Sequence, residues 1–486
     1  MDWRVDVELK GGLMSRACEK ITILGAGVAG LVAAHELEEL GHEVEVLEGS
    51  ERLGGRVYTH RFGEGDTVPF VELGAMRIPT KHRHTVDYIG KLGLAPKLKE
   101  FRTLFSEESA YHTTSAGFVR VRDAAKVLVD DFGALLADHD LRPETILFGA
   151  WLTAVGDAIA PAEFRATLRT DFTADLLEVV NRIDLTPFLV GEAHDHVDLH
   201  AFFAAHPEVR TSCTGKLNRF IDDILDETSP RLMRLEGGMD QLIDALVDRI
   251  KGDIRTDHDV RAIDIGDESV TLTVRNGPQV QTIRCDRVLC TIPFSVLGKL
   301  TLAGFSEEKL AIIDEVKYWS ATKVAFRVRE PFWERHGITG GASFGGGRIR
   351  QTYYPPVEGD PTNGAVLLAS YTMGDDADVL GAMPEAQRHD VVLAEVGRMH
   401  PELHEPGMVV EATSRAWGQC RWSDGAGVTR WGKDVAACED ERERAARPEG
   451  RLYFAGEHCS STTAWIDGAI ESALAAVRAI EAEGGR

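Results

Sequence analysis

The segment that most constrains the fold is a glycine-rich turn at residues 25–30, which reads Gly-Ala-Gly-Val-Ala-Gly. It follows an apolar, β-branched stretch at 21–24, typical of a buried strand. Residues 31–40 predict a helix that ends at Gly41, and residues 43–48 alternate as a second strand. A strand, a helix and a strand within about 30 residues predict a βαβ unit in a parallel sheet with a right-handed crossover.

The same turn predicts a dinucleotide site. Its glycines let backbone N–H groups approach a pyrophosphate at a helix N-terminus, and Glu48, 18 residues beyond Gly30, can accept from ribose hydroxyls. NAD and FAD share this fingerprint, and the Arg52–Arg56 segment, Arg-Leu-Gly-Gly-Arg, favours FAD because it adds a second backbone approach and a phosphate-pairing guanidinium. The predicted cofactor contacts here are Gly25, Ala26, Gly27, Ala29, Gly30, Glu48, Gly54, Gly55 and Arg56.

Composition narrows the class of protein. Hydrophobic residues make up 43% and charged residues 27%, which is ordinary globular usage. The net charge of −24 argues against nucleic acid and anionic membrane as partners. No apolar run approaches the ~18 residues of a membrane span. Seven cysteines give no disulfide or metal pattern, so we expect a cytoplasmic protein without a metal site.

The order of patterns predicts a discontinuous, multidomain α/β (α+β) chain. Helical periodicity fills residues 121–140, 143–160 and 162–183, whereas strand patterns dominate before and after this block. We predict a Rossmann-type FAD-binding domain, a substrate-binding domain with a mixed sheet, and an inserted helical domain. The predicted boundaries are 1–66, 232–300 and 440–486 for the first, 67–115 and 301–439 for the second, and 116–231 for the third.

Several separated segments resemble the flavin-containing amine oxidase superfamily. GAGVAGLVAAHELEELGHEVEVLEGSERLGGRV resembles its N-terminus, and RLYFAGEHCSSTTAWIDGAIESALAAV resembles its C-terminal FAD-binding segment. VELGAMRIP, TKVAFRVREPFWE, YYP and AWIDGAI are most similar to the L-amino acid oxidases within it. The similarity covers about 21–83, 236–375 and 410–475. It is faint across the helical block.

The resemblance implies further contacts to FAD. Val260 matches a strand at the adenine, Glu457 a ribityl contact, and Trp417 an aromatic on the flavin. The full set of implied contacts is Gly74, Ala75, Met76, Arg77, Val260, Trp417, Gly456, Glu457, Trp465 and Ile466. The monoamine oxidases attach FAD through a cysteine, but residues 425–429 here read Gly-Ala-Gly-Val-Thr. We therefore expect non-covalent FAD, unless Cys420 is a displaced attachment point.

Arg77 decides the predicted substrate class. In the L-amino acid oxidases the Arg of this motif clamps the substrate carboxylate, and the alternative is a structural ion pair to an acidic side chain. Tyr354 matches the hydroxyl that shares the carboxylate, and Tyr353 takes that role if the register is one residue off. Lys323 matches a lysine that holds a water at flavin N5, with an exposed lysine as the alternative. Trp422, Val428, Ala464 and Trp465 complete the predicted substrate contacts.

These expectations imply oxidative deamination of L-amino acids to 2-oxo acids, with transfer of hydride from Cα to flavin and release of ammonia and hydrogen peroxide. The alternatives are a tryptophan-type oxidase or monooxygenase of a biosynthetic pathway, and an oxidase of simple amines or polyamines. The expected partners are a small L-amino acid, molecular oxygen and a second copy of the chain in a homodimer.

Overall fold

The computed structural model describes residues 18–65, 67–134, 140–161, 176–212 and 215–484. The first ~20 residues show no clear periodicity and predict an extended lead-in, most of which lies outside these ranges. Most of the helical pattern at 162–183 also lies outside them. Within the described residues, no helix combines the length and the hydropathy needed to cross a bilayer.

A five-stranded parallel sheet confirms the predicted βαβ unit. The strand Lys20–Leu24 lies at its centre and pairs with Glu43–Leu47, and the helix Val28–Glu39 connects the two. Its strands run in the order Asp253–Arg255, Glu43–Leu47, Lys20–Leu24, Arg287–Cys290 and Leu452–Phe454. The helices whose apolar residues share its core are Val28–Glu39, Arg83–Lys91, Gln241–Val247 and Ile466–Gly484.

A second, four-stranded sheet lies beside the first. Its strands run in the order Gln279–Cys285, Val270–Asn276, Asp259–Ile265 and Thr301–Ala303. The helices Phe294–Leu297, Glu307–Glu315 and Val435–Ala446 contribute to the hydrophobic core that joins this sheet to the parallel one. Strands drawn from distant parts of the chain thus form two sheets that share a hydrophobic core.

The third large sheet is mixed, as predicted for the substrate side. Its order is Val409–Ala416, Ala321–Val328, Ala365–Met373, Arg350–Tyr353, Ala342–Gly346, Tyr111–Thr114 and Gly117–Arg120. All pairs are antiparallel except Ala342–Gly346 with Tyr111–Thr114. The helices Asp375–Gly381 and Glu385–Val396 follow its third strand. In Ala321–Val328 only Arg327 is not buried, so Lys323 lies inside the protein.

Short sheets connect these layers. They are Ile78–Pro79 with Leu232–Leu235 and Leu98–Glu100, Thr59–Arg61 with Phe70–Glu72, Tyr318–Trp319 with Gly427–Val428, and Leu189–Val190 with His196–Val197. The described helices between them are Ala125–Gly133, Pro143–Ile159, Leu177–Val180, Leu199–Ala205, Pro207–Ser212 and Gly215–Glu227. The division of the chain into three domains stays a prediction.

Candidate active site

A cleft of about 760 Å³ runs along the carboxyl edge of the parallel sheet, from Glu48 to Lys323. Most of the predicted cofactor residues line it, although they come from six separate stretches of the chain. They are Gly25, Gly27, Ala29, Glu48, Gly54, Gly55, Arg56, Gly74, Ala75, Val260, Trp417, Gly456, Glu457, Trp465 and Ile466. The fold therefore brings together what the sequence distributes over more than 400 positions.

Glu48 orders the glycine turn from the next strand. Its carboxylate accepts the backbone N–H of Ala26 at 2.8 Å and that of Ser50 at 2.9 Å. Gly27 is the N-cap of the helix Val28–Glu39, and glycine has no side chain that could cap the first N–H groups. Donors at a helix N-terminus attract a phosphate group, so this end of the cleft suits a pyrophosphate.

Gly30 acts behind the cleft and does not line it. A Cβ at this position would overlap the carbonyl oxygen of Gly25. Only glycine lets the helix start this close to the preceding turn. The turn is held from the other side, where the N–H of Gly54 donates to Ala26 O at 2.8 Å. The glycines thus fix the shape that a dinucleotide needs.

Arg56 and Glu457 form an ion pair at 2.7 Å inside the cleft. Glu457 also accepts the N–H groups of Val428 and Ala464. Burial raises the pKa of Glu457, but Arg56 and these N–H groups lower it more, so the net pKa lies below the ordinary value. Ala464 has a left-handed backbone with φ of 66°, which the contact with Glu457 helps to hold.

A smaller cavity of about 120 Å³ adjoins the Lys323 end of this cleft. It is lined by Gly74, Ala75, Met76, Arg77, Ile159, Pro161, Asp223, Glu227, Trp319, Lys323, Tyr371, Met373, Val428, Thr429, Arg430, Trp431, Thr463, Ala464, Trp465 and Ile466. The predicted Arg77, Lys323, Val428, Ala464 and Trp465 therefore meet here. Aromatic rings and the guanidinium groups of Arg77 and Arg430 suit a small ligand that carries an acid group and an apolar side chain.

Arg77 is only 6% exposed and carries two partners. One of its N–H groups donates to the hydroxyl of Tyr353 at 2.9 Å, and another forms an ion pair with Glu227. Burial alone would lower the pKa of Arg77, but Glu227, Tyr353 and Tyr371 raise it above its ordinary value. The guanidinium is thus a permanent cation at the wall of the cavity.

Lys323 is 3% exposed and lies where the cleft and the cavity meet. Its ammonium group donates to the carbonyls of Gly74 at 2.6 Å and Glu72 at 3.1 Å, and it lies 4.7 Å from the ring centre of Tyr371. Burial, with repulsion from Arg77, lowers the pKa of Lys323 to about 7. Burial likewise raises the pKa of Glu72 to about 8. Perturbed groups of this kind are typical of active sites.

The structure corrects two predicted substrate contacts. Tyr354 is buried away from Arg77, and its hydroxyl is bonded to Ser343 at 2.6 Å and His400 at 2.7 Å. Adjacent residues of an extended chain face opposite ways, so the neighbouring Tyr353, the alternative that the sequence left open, is the one bonded to Arg77, although it does not line the cavity. Trp422 packs on Gly49 at the Glu48 end of the cleft, under the guanidinium of Arg421.

Several cavity residues were missed from the sequence. Tyr371 is the direct cross-strand partner of Lys323, and Glu227 comes from the helical block. The Tyr371 signal was an aromatic residue in a strand that is buried throughout, which core packing explains equally well. Glu227, Asp223 and Trp431 carried no motif. Glu227 and Asp223 reach the site because the helix Gly215–Glu227 packs beside it, and Trp431 comes from the segment after the strand Gly427–Val428.

Residues 28–481 match the family model for flavin containing amine oxidoreductases. The flavin-dependent L-tryptophan oxidase RebO of Lentzea aerocolonigenes is 84% identical over 97% of this chain and 100% of that protein. An L-amino-acid oxidase of Sistrurus catenatus edwardsii is 28% identical over 96% of this chain and 88% of that protein.

Solved structures give the same fold at lower identity. A putrescine oxidase superposes with a TM-score of 0.64 at 19% identity, covering 96% of this chain and 99% of that one. A cyclohexylamine oxidase from Brevibacterium oxydans gives a TM-score of 0.64 at 17% identity, covering 97% of this chain and 100% of that one. At this level of identity the likeness shows the architecture alone.

Proposed function

Since the chain belongs to the flavin containing amine oxidoreductase family, whose cofactor is FAD, we propose that it oxidises L-tryptophan. The broader expectation, an oxidase of amines or amino acids, follows from the family. The specific substrate is the alternative that the sequence left open, and the relative of 84% identity supports it better than a general L-amino acid oxidase. The products would be the imine, which water converts to the 2-oxo acid and ammonia, and hydrogen peroxide.

The observation that carries the proposal is the cation of Arg77 in the wall of the small cavity. A net charge of −24 gives the protein little general attraction for an acid, so a carboxylated substrate needs a fixed local partner. Arg77 would bind the carboxylate and Tyr371, which lines the same cavity, would donate its hydroxyl. Tyr353, which does not line the cavity, accepts a hydrogen bond from the guanidinium.

The residues of the cleft would hold the FAD. The uncapped helix start at Gly27 suits the pyrophosphate, Glu48 suits a ribose, and the segments of Lys323 and Trp465 would flank the flavin ring. When bound, FAD would accept the hydride from Cα and pass the electrons to oxygen. The protein supplies orientation, since a substrate fixed at its carboxylate by Arg77 has its Cα confined to the mouth of the cavity beside Lys323.

An oxidase of simple amines is the second candidate, because the putrescine and cyclohexylamine oxidases share the architecture. The buried guanidinium of Arg77 argues against an oxidase of simple amines, since such amines have no acid group for Arg77 to bind. The contrast between an amino acid and its decarboxylated amine therefore separates the two candidates.

The test is to purify the yellow protein and measure hydrogen peroxide with L-tryptophan, D-tryptophan, L-phenylalanine, L-leucine and tryptamine. We expect L-tryptophan to have the highest kcat/KM. Arg77→Met should lower kcat/KM for L-tryptophan by roughly 100-fold or more, since it removes a charge-assisted contact at a buried site, while tryptamine loses far less. Equal losses for both substrates, or preferred turnover of tryptamine by the unaltered enzyme, would contradict the proposal.

A further inference from the structure

The helix Gly215–Glu227 places two carboxylates on the cavity, Asp223 and Glu227. They are four residues apart and therefore lie on the same face of the helix. Glu227 is paired with Arg77, at the end of the cavity where the substrate carboxylate would bind. Asp223 lies one helical turn before Glu227 and lines the same cavity.

The carboxylate of Asp223 already binds an indole. The ring N–H of Trp431 donates to Asp223 Oδ2, and Trp431 itself lines the cavity. The Trp431 ring is held in place by the edge-to-face contact of Phe220, with ring centroids 5.4 Å apart. The wall of the cavity thus contains a carboxylate whose position and orientation suit an indole N–H. A carboxylate has two oxygens, and each can accept more than one hydrogen bond.

The spacing fits a tryptophan side chain. One turn separates Asp223 from Glu227, about 6 Å along the helix axis. This is comparable to the separation between the carboxylate and the ring nitrogen in L-tryptophan. Among the described residues, Ile159, Pro161, Met373 and Trp319 give the wall an apolar part that suits the flat ring. A buried indole N–H without an acceptor costs about 1–3 kcal/mol, so an acceptor is required here.

We propose that Asp223 accepts the indole N–H of the substrate and thereby selects tryptophan over amino acids with other apolar side chains. This inference rests on the proposed function. Phenylalanine and leucine have no side-chain N–H to offer, so they would bury the Asp223 carboxylate without giving it a hydrogen bond. Glu227 is a poorer candidate, because it is bound to Arg77 at the opposite end of the substrate.

The test uses an isostere, 3-(benzothien-3-yl)-L-alanine, in which sulfur replaces the indole N–H. For the unaltered holoenzyme, kcat/KM for L-tryptophan should exceed that for the isostere by roughly 10- to 100-fold, as expected for a hydrogen bond to a charged acceptor. Asp223→Leu should bring this ratio close to one, and Asp223→Asn should give an intermediate ratio because an amide oxygen is a weaker, neutral acceptor.

The control is Trp431→Phe, which removes the protein's own indole donor and keeps the carboxylate. Its ratio should stay at least as high as that of the unaltered enzyme. If Asp223→Leu lowers kcat/KM for both substrates equally, Asp223 only supports Trp431 and the inference is wrong. The unaltered enzyme alone also tests the inference. If its kcat/KM for L-tryptophan is close to that for the isostere, the inference is wrong. An enzyme that does not oxidise L-tryptophan at all contradicts the proposed function instead.

Discussion

The guanidinium of Arg77 and the carboxylate of Glu227 form a buried ion pair between the Gly74–Arg77 segment and the end of a helix from another part of the chain. The pair places a negative charge directly beside the group proposed to bind the substrate carboxylate. An incoming acid must therefore share Arg77 with Glu227. The affinity for acids reflects this competition as well as the attraction of the cation.

Glu227→Gln should strengthen the binding of acids that lack an amino group. The substitution removes like-charge repulsion and leaves Arg77 fully available, so the Kd of indole-3-propionate should fall roughly tenfold, about 1.4 kcal/mol. Isothermal titration of the holoenzyme measures this directly. Indole-3-propanamide, which has no charge, is the matched ligand and should bind both enzymes alike. Weaker binding of the acid to the variant would show that Glu227 positions Arg77 instead of competing for it.

Tyr353→Phe and Tyr354→Phe form a matched pair of neighbouring substitutions. Tyr353 is hydrogen-bonded to Arg77, whereas Tyr354 is bonded to Ser343 and His400 in the core beyond the cavity. We expect Tyr353→Phe to raise KM for L-tryptophan several-fold, since it removes one support of the guanidinium. Tyr354→Phe should lower the melting temperature and leave KM unchanged. Steady-state kinetics and thermal unfolding distinguish them, and the reverse pattern would restore the original assignment of Tyr354.

The depressed pKa of Lys323 predicts a pH-dependent cost in stability. Its pKa is about 7 in the folded protein and 10.5 when unperturbed, so the unfolded chain binds more protons between these values. The cost is fully present below pH 7 and is relieved as the pH rises from 7 to 10.5. Lys323→Met removes it, so the variant's advantage in melting temperature should be largest near pH 6.5 and shrink by pH 9.

Lys309 provides the control for this prediction. It is a second buried lysine with a pKa lowered to about 8, and it donates to the carbonyl of Ala445 at 2.9 Å. Lys309→Met should change stability in the same direction with pH but leave the rate of flavin reduction unchanged, because Lys309 lies outside both the cleft and the cavity. If the difference in melting temperature between Lys323→Met and the unaltered protein does not vary with pH, the pKa of Lys323 is not lowered.

Gly30→Ala should weaken the binding of FAD. The new methyl group would overlap the carbonyl oxygen of Gly25, so the helix start must move away from the turn that receives the pyrophosphate. We expect a lower ratio of flavin to protein absorbance and a lower melting temperature. Gly90→Ala is the matched change in the helix Arg83–Lys91, where a Cβ meets no atom within 4 Å. It should be neutral or slightly stabilising, since alanine favours helices by up to about 1 kcal/mol. Retention of full flavin by Gly30→Ala would contradict this account of the turn.

The sequence by itself determined those parts of this protein that are formed by residues close together in the chain. The turn at 25–30, its flanking strands and Glu48 are local features, because a tight turn and a helix start depend on a few neighbouring residues. Arg77 and Lys323 could be selected since a charge inside an apolar pattern is costly and points to a specific use. The FAD-binding cleft and the mixed sheet followed from such segments.

Only the tertiary structure decided what surrounds these residues. The exchange of Tyr354 for Tyr353 shows how a shift of one position in a strand moves a hydroxyl from one face of a sheet to the other. Trp422 went to the far end of the cleft, and Glu227 and Asp223 reached the cavity from a helix that carries no motif. Long-range packing fixes which side chains meet, and no local spacing encodes it. The cavity that would bind the substrate side chain therefore forms only when the whole chain has folded.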